Sequence, residues 1–347
     1  MRQHGRAVLL WVLVWYAVLL VIPFCLKHRW QRIGPAHEDR KWPALRDLVS
    51  NHPDRPLLLM LGSSRACWAF RAGSLDGMPD NDRRPMSVFN FGIPATGPIS
   101  ELFYLRDMLA EGIRPRYLLI EFLPPLLCEA QRGALTEEGM TGFEQVSARR
   151  FLQWLPYLNR PEKRGRLWLE ARINPWYAYR RQIQLELKCV AAHEPFPTYE
   201  PIDDSGWHIS APVPFPDDVR EQRVEQARGG YSPGLSHFRL GKKPTRALRE
   251  LLDLCRSEKI PAALVVMPES SEFRSWYSDD AKKAIHGLLD DLRQTYGIPI
   301  IDAECWLADT DFEDGHHTLL HGADVFTYRL HAELPQLLAQ FKSAKSD

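Results

Sequence analysis

Two short stretches far apart in the chain carry residue types that can act together as nucleophile, base and orienting acid. The first, LLLMLGSSRACWAF (57–70), runs five apolar residues into Gly62 and then places Ser63, Ser64 and Arg65 at the start of a helical pattern. A serine just past the end of a buried strand has its hydroxyl in the crevice where parallel sheets bind ligands, beside helix N–H groups that favour negative charge. The second, DFEDGHHTLLHGADVF (311–326), sets Asp314 three residues before His317 in a loop. There the carboxylate can fix the imidazole tautomer while the other ring nitrogen takes a proton from Ser64. Each piece also has a plainer reading. Gly62-Ser63-Ser64-Arg65 can serve only as a helix cap after a strand, and Asp314 before Gly315 can be a turn residue. His316, His317 and His321 have spacings that a metal site could use, but no recognised Cys or Glu pattern accompanies them, and no metal is expected.

Positioning those groups requires a sheet. PLLLML (56–61), SVFNF (87–91), RYLLIEFL (116–123), AALVVM (262–267) and IPII (298–301) are near-continuous apolar runs of the kind found in strands covered on both faces. Helical patterns lie between them. Residues 99–111 align Leu102, Leu105 and Leu109, residues 244–257 align Ala247, Leu248, Leu251, Leu252 and Cys255, and residues 279–295 open on Asp279 and Asp280. A last helix carries a stripe through Ala323, Phe326, Leu330 and Leu334. The alternation predicts an α/β fold, a doubly wound parallel sheet with its ligand site beyond the carboxyl ends of the strands. Glu269, in VVMPESSEF, follows the fourth strand at that edge and is a candidate substrate contact, or a turn residue. Arg65 is a second candidate, for an anionic group, or a surface ion-pair partner.

Residues 129–240 break the alternation and read as an insertion, splitting the core into 42–128 and 241–341. Residues 148–188 hold ten Lys/Arg against three Glu, interleaved with aromatic residues, and a segment with six prolines follows. Those aromatics suit either a small packed helical subdomain or a sugar-stacking or membrane-interface surface, the first being the plainer account. At the N-terminus, residues 7–26 carry no charge, long enough at 1.5 Å per residue to span a bilayer, so residues 1–35 read as an uncleaved membrane anchor. Arg2 and Arg6 precede the segment while Lys27, Arg29 and Arg32 follow it, and the charge rule alone would leave the body in the cytoplasm. With 44 basic and 44 acidic residues, nucleic-acid binding is not indicated. The six scattered cysteines form no zinc or redox motif, and one or two disulfides would suit an extracytoplasmic body. A Gly-x-Ser-x-Gly elbow is excluded because the fifth position is Ala66, and a phosphate-binding loop because no Lys follows the glycine in frame.

Taken together, Gly62-Ser63-Ser64, FNFGIPATGP (89–98) and Asp314-x-x-His317 followed by Gly322 resemble the SGNH, or GDSL-like, hydrolase superfamily over about 56–128 and 244–341. The resemblance implies a flavodoxin-like fold, Ser64 as nucleophile, His317 as base and Asp314 as its partner, with no cofactor. It also implies an oxyanion hole from the N–H groups of Ser64 and of Gly92 or Ala95. Two departures stand out: Ser63 replaces the usual Asp, and LLIEFLPPLL (118–127) lacks the Asn that normally completes the hole. In those respects the chain is most similar to membrane-anchored members such as the alginate O-acetylation proteins and the D-alanyl transfer protein of teichoic acid modification. That likeness implies a periplasmic, extracytoplasmic body, an acylated surface glycan or polymer as substrate, and a multi-span membrane acyltransferase as partner. The alternative is a non-catalytic glycan-binding or assembly factor on the same fold.

Overall fold

The computed structural model describes residues 2–31, 36–193, 202–211 and 215–343. In chain order the helices and strands are α1 (Arg2–Gln31), α2 (Ala36–Asn51), β1 (Leu57–Gly62), α3 (Ser64–Ala69), β2 (Ser87–Gly92), α4 (Pro98–Ala110) and β3 (Tyr117–Phe122). Next come α5 (Glu137–Met140), α6 (Ala148–Trp154), α7 (Pro161–Ile173), α8 (Pro175–Ala178), α9 (Arg180–Ala192) and α10 (Asp217–Ser236). The chain continues with α11 (Lys242–Ser257), β4 (Ala262–Val266), α12 (Ser271–Ser275), α13 (Asp279–Tyr296), β5 (Ile300–Asp302) and α14 (Leu320–Ser343).

The five strands pair in the order β2-β1-β3-β4-β5, every pairing parallel, which is the flavodoxin-like order. Their apolar continuity has a direct cause: β1, β2 and β3 are buried at every position, so no residue in them has a solvent face to be polar on. Leu58, Met60, Val88, Tyr117, Leu119 and Val265 join Phe326, Leu330 and Leu334 of α14 in one core. The alternate residues point the other way, where Phe91 meets Trp42 of α2 and Tyr104 of α4 edge to face, with ring centroids 5.2 and 5.3 Å apart. The stripe expected through Ala247, Leu248, Leu251, Leu252 and Cys255 is buried on α11, which packs against α4. The edge of β2 is not left open: the Asn90 N–H donates to the Ser205 carbonyl at 2.8 Å.

The chain divides into two compact units, Met1–Asp39 with Gly142–Glu200, and Arg40–Thr141 with Pro201–Asp347. The second holds the whole sheet, together with residues from 202 onward. The uncharged stretch 7–26 falls in α1; the side chains of residues 20 and 23–26 lie outside those described, and among the described residues no helix is long and apolar enough to cross a membrane. Cys67, Cys128, Cys189, Cys255 and Cys305 are free thiols, so none of the disulfides the sequence would have allowed forms among the described residues.

One buried group opposes folding at neutral pH. Glu101 in the first turn of α4 is 1 % exposed and neither carboxyl oxygen has a hydrogen-bond partner. Burial pushes its pKa well above the ordinary carboxylate range, with Glu121 and Glu137 adding to the shift. The folded chain therefore keeps the proton at pH values where the unfolded chain loses it, and stability is full below the ordinary carboxylate range and falls as pH rises above it. Glu101→Met is expected to raise stability by about 1–3 kcal/mol at pH 8. Urea titrations at pH 8 and pH 4 check this, the advantage shrinking at the acid end, where both states of the parent are protonated.

Candidate active site

β1 delivers its last residue, Gly62, under the start of α3, and the packing there requires glycine: a Cβ would lie 2.6 Å from both the Ala66 Cβ and a Glu121 carboxyl oxygen. Ser63 is the helix cap, its hydroxyl accepting from the Arg65 N–H at 3.1 Å. That frees Ser64, the first helical residue, to project its hydroxyl. The capping reading of the sequence is thus met by Ser63, which leaves the Ser64 hydroxyl outside the cap.

On the far side, the loop 311–319 closes on itself, with the Glu313 N–H donating to the His317 carbonyl at 3.0 Å and the Leu319 N–H to the Asp311 carbonyl at 2.8 Å. Gly315, at φ +93°, takes the left-handed turn between them. This turn lets Asp314 Oδ1 accept the N–H groups of His316 (3.1 Å) and His317 (2.8 Å), while Oδ2 reaches His317 Nδ1 at 2.7 Å. His317 Nε2 lies 2.7 Å from Ser64 Oγ. An ionised carboxylate only accepts, so Nδ1 carries the proton and Nε2 offers its lone pair to the serine hydroxyl. Burial alone would raise the Asp314 pKa, but the His317 and His316 rings and the bonds from His317 outweigh it and hold the carboxyl well below its ordinary range. Ser64 and His317 remain partly open to solvent.

The expected oxyanion donors separate. Gly92 N–H is already committed to Asn90 Oδ1 at 2.8 Å, a bond that ties the end of β2 together. The buried Lys41 ammonium braces the same turn through the carbonyls of Asn90 and Gly92, and burial lowers its pKa although Cys67 opposes the shift. Ala95 differs: its φ is +63°, a strained conformation for a residue with a Cβ, and its N–H donates to no acceptor among the described residues. The Ser64 N–H is likewise without an acceptor there.

Arg65 and Glu269, expected to face substrate, instead face each other. They form an ion pair with both side chains at 3–4 % exposure, and Glu269 also accepts from the Tyr277 hydroxyl at 2.8 Å. The Arg65 guanidinium lies over the Phe273 ring at 4.7 Å. Burial works against its charge, yet Glu269 and the neighbouring tyrosines hold its pKa above normal. α3 continues directly from Ser64, so the next residue turns down into the helix–sheet interior rather than out into the crevice. The pair fastens α3 to the end of β4.

Sequence reading missed two neighbours, Glu121 and Trp68. Glu121 accepts from the Ser63 N–H (2.5 Å) and hydroxyl (3.0 Å), bracing the turn that carries Ser64. Burial raises its pKa, against the opposing pull of Arg65 and the Ser63 donors. Its signal was present, a lone acid inside the apolar run LLIEFL. Trp68, one helical turn after Ser64, sets its ring 5.1 Å from His317 and 4.2 Å from His208. His316 is buried, its ring tilted against that of His317 with centroids 4.0 Å apart, and burial pushes its pKa well below the ordinary imidazole range, with His317 acting in the same direction. Asp314, His316 and His317 bring potential ligand atoms within 4.8 Å of one another; a hydrogen bond joins Asp314 to His317, the buried His316 Nδ1 has no hydrogen-bond partner among the described residues, and His321 is instead paired with Asp311 at 2.7 Å.

The sequence matches no protein-family model and no curated protein. Among solved structures it is similar to a Bacteroides fragilis protein provisionally named an acylhydrolase, at 13 % identity and a TM-score of 0.36, over 86 % of this chain and 99 % of that one. Function therefore rests on the site's own geometry.

Proposed function

We propose that the chain is a serine acyl-transfer enzyme, an esterase or O-acyltransferase, working through a Ser64 acyl-enzyme. The observation that carries this reading is the continuous relay from Ser64 Oγ through His317 to Asp314, with 2.7 Å at each step. As Ser64 Oγ attacks an ester carbonyl carbon, His317 Nε2 takes its proton, and Asp314 stabilises the imidazolium. The N–H groups of Ser64 and Ala95 are the donors proposed for the oxyanion. Collapse of the tetrahedral intermediate breaks the bond to the leaving alcohol, which receives the proton from His317. Water or a sugar hydroxyl then gives its proton to His317 and attacks the acyl-enzyme, releasing Ser64. No residue in this sequence of steps needs a cofactor.

The resemblance of the motifs extends the proposal to an acylated cell-surface glycan or other polymer as substrate, and to a multi-span membrane acyltransferase as partner. The uncharged segment 7–26 supports a single N-terminal membrane anchor, and the resemblance of the motifs, against the basic residues that follow that segment, extends the proposal to a catalytic body outside the cytoplasm. A second reading, a non-catalytic glycan-binding or assembly factor, draws on the absence of an Asn in 118–127 and the engaged Gly92 N–H, which leave fewer oxyanion donors than the superfamily the motifs resemble uses.

Exposure of the full chain to a serine-reactive fluorophosphonate separates the two. One covalent adduct by intact mass on the parent protein, and none on Ser64→Ala, is the expected result. A folded parent that takes no adduct would overturn the enzyme reading in favour of the binding factor.

A further inference from the structure

We propose that α6, α7 and α9 form a platform lying in the surface of an anionic lipid bilayer, their exposed apolar pairs among the acyl chains and their cations among the headgroups. The proposal rests on the membrane-anchor reading of α1 and adds to it a role for the insertion.

Three helical segments of this unit each leave an apolar pair at helical spacing in the open: Leu152 and Leu155, Leu169 and Ile173, Leu187 and Val190, at 38–64 % exposure. Residues three or four apart share a helix face, and a helix in a water-soluble protein turns such a face inward. Here the inward faces are already filled by other residues. Phe151 and Trp154 of α6 are buried against Phe143, Phe151 stacks on Trp168 of α7, and Cys189 of α9 is buried. The exposed pairs are therefore a second apolar surface, left over after the unit has packed.

Charge identifies the occupant. The whole chain is neutral, yet residues 148–188 concentrate ten Lys/Arg against three Glu. Exposed cations neighbour the apolar pairs in sequence: Lys188 follows Leu187, and Arg172, which donates to the Val146 carbonyl, precedes Ile173. This is the arrangement in which a long basic side chain lies along apolar surface and raises its charge to a headgroup. A protein partner would explain the apolar pairs and leave the basic excess unused.

Continuity with α1 gives the location. Val8 to Tyr16 of that helix expose large apolar side chains all round, and α1 belongs to the same compact unit. Trp176, on the short helix between α7 and α9, donates its indole N–H to the Leu19 carbonyl at 2.7 Å. That bond ties the segment between α7 and α9 to α1, so a chain held in a bilayer by α1 keeps both helices close to the membrane.

The test uses the full chain with Cys25→Ser and Cys305→Ser, carrying an environment-sensitive NBD label at Ile173→Cys or Val190→Cys, in nanodiscs of phosphatidylcholine alone or mixed with phosphatidylglycerol. A label at Tyr328→Cys, an exposed position on α14, gives the solvent value. The expected result is blue-shifted emission at positions 173 and 190 that brominated acyl chains quench, more strongly in the phosphatidylglycerol discs. Water-like emission from a chain that stays on the discs through an alkaline wash would overturn the platform alone. A blue shift that brominated lipid does not quench would also overturn it, placing protein, a second copy included, on that face. A chain that washes off overturns the anchor and the platform together.

Discussion

His317→Ala is expected to slow acylation of Ser64 by roughly 10⁴- to 10⁶-fold, the largest effect any single substitution in this chain should have on activity. The histidine is the only group within hydrogen-bond reach of the Ser64 hydroxyl among the described contacts, at 2.7 Å, so its loss leaves the serine with no base. Because nucleophile and base act as one unit, Ser64→Ala/His317→Ala should be no slower than either single variant. Asp314→Asn should cost about 10⁴-fold while leaving the fold intact, because an amide at that position can donate to Nδ1 and favours the tautomer with the proton on Nε2, where it blocks proton uptake. Initial rates of p-nitrophenyl acetate hydrolysis for the four variants, measured beside their urea midpoints, check the set. Rates that fell independently and multiplied in the double variant would argue against a shared proton transfer.

Arg65→Met is the substitution expected to cost most in stability, about 3–5 kcal/mol, although Arg65 neighbours the nucleophile in sequence. Removing the guanidinium leaves the Glu269 carboxylate buried at 3 % exposure with the Tyr277 hydroxyl as its remaining partner. The cost is that of an uncompensated buried charge, so it should not appear when both partners are replaced. Arg65→Met/Glu269→Met should recover most of the loss, and the shortfall from additivity measures the coupling of the pair. Urea unfolding of the parent, both single variants and the double variant provides the cycle. A double variant as unstable as the sum of the singles would mean that the two residues act separately. Activity of the double variant carries its own information: with the ion pair gone but the packing kept, a normal rate would place Arg65 and Glu269 outside substrate contact, as their burial indicates.

Glu121 supports the turn that carries Ser64 in a similar way. β3 holds no Asn and supplies instead a carboxylate that fixes Ser63 from beneath. Ser63 in turn caps α3, so that turn is braced by a residue 58 positions beyond Ser63 in sequence.

The sequence by itself determined the sheet, because strands buried on both faces are apolar at most positions and that pattern survives without any knowledge of neighbours. It also determined the helix stripes, where Ala323, Phe326, Leu330 and Leu334 are all fully buried. Ser64, His317 and Asp314 were legible because their chemistry demands particular residue types, and Asp314 and His317 sit close enough in sequence for one loop to join them. Other features were decided only in three dimensions. Arg65 and Glu269 are 204 residues apart, and nothing in either local pattern says that each is the other's partner rather than a contact for substrate. Gly92 and Ala95 were equivalent as oxyanion donors until the Asn90 side chain took one N–H and the backbone turn left the other without an acceptor. Hydrogen-bond occupancy and charge pairing depend on which distant segments the fold brings within 3 Å, and that is information the linear pattern of residue types does not contain.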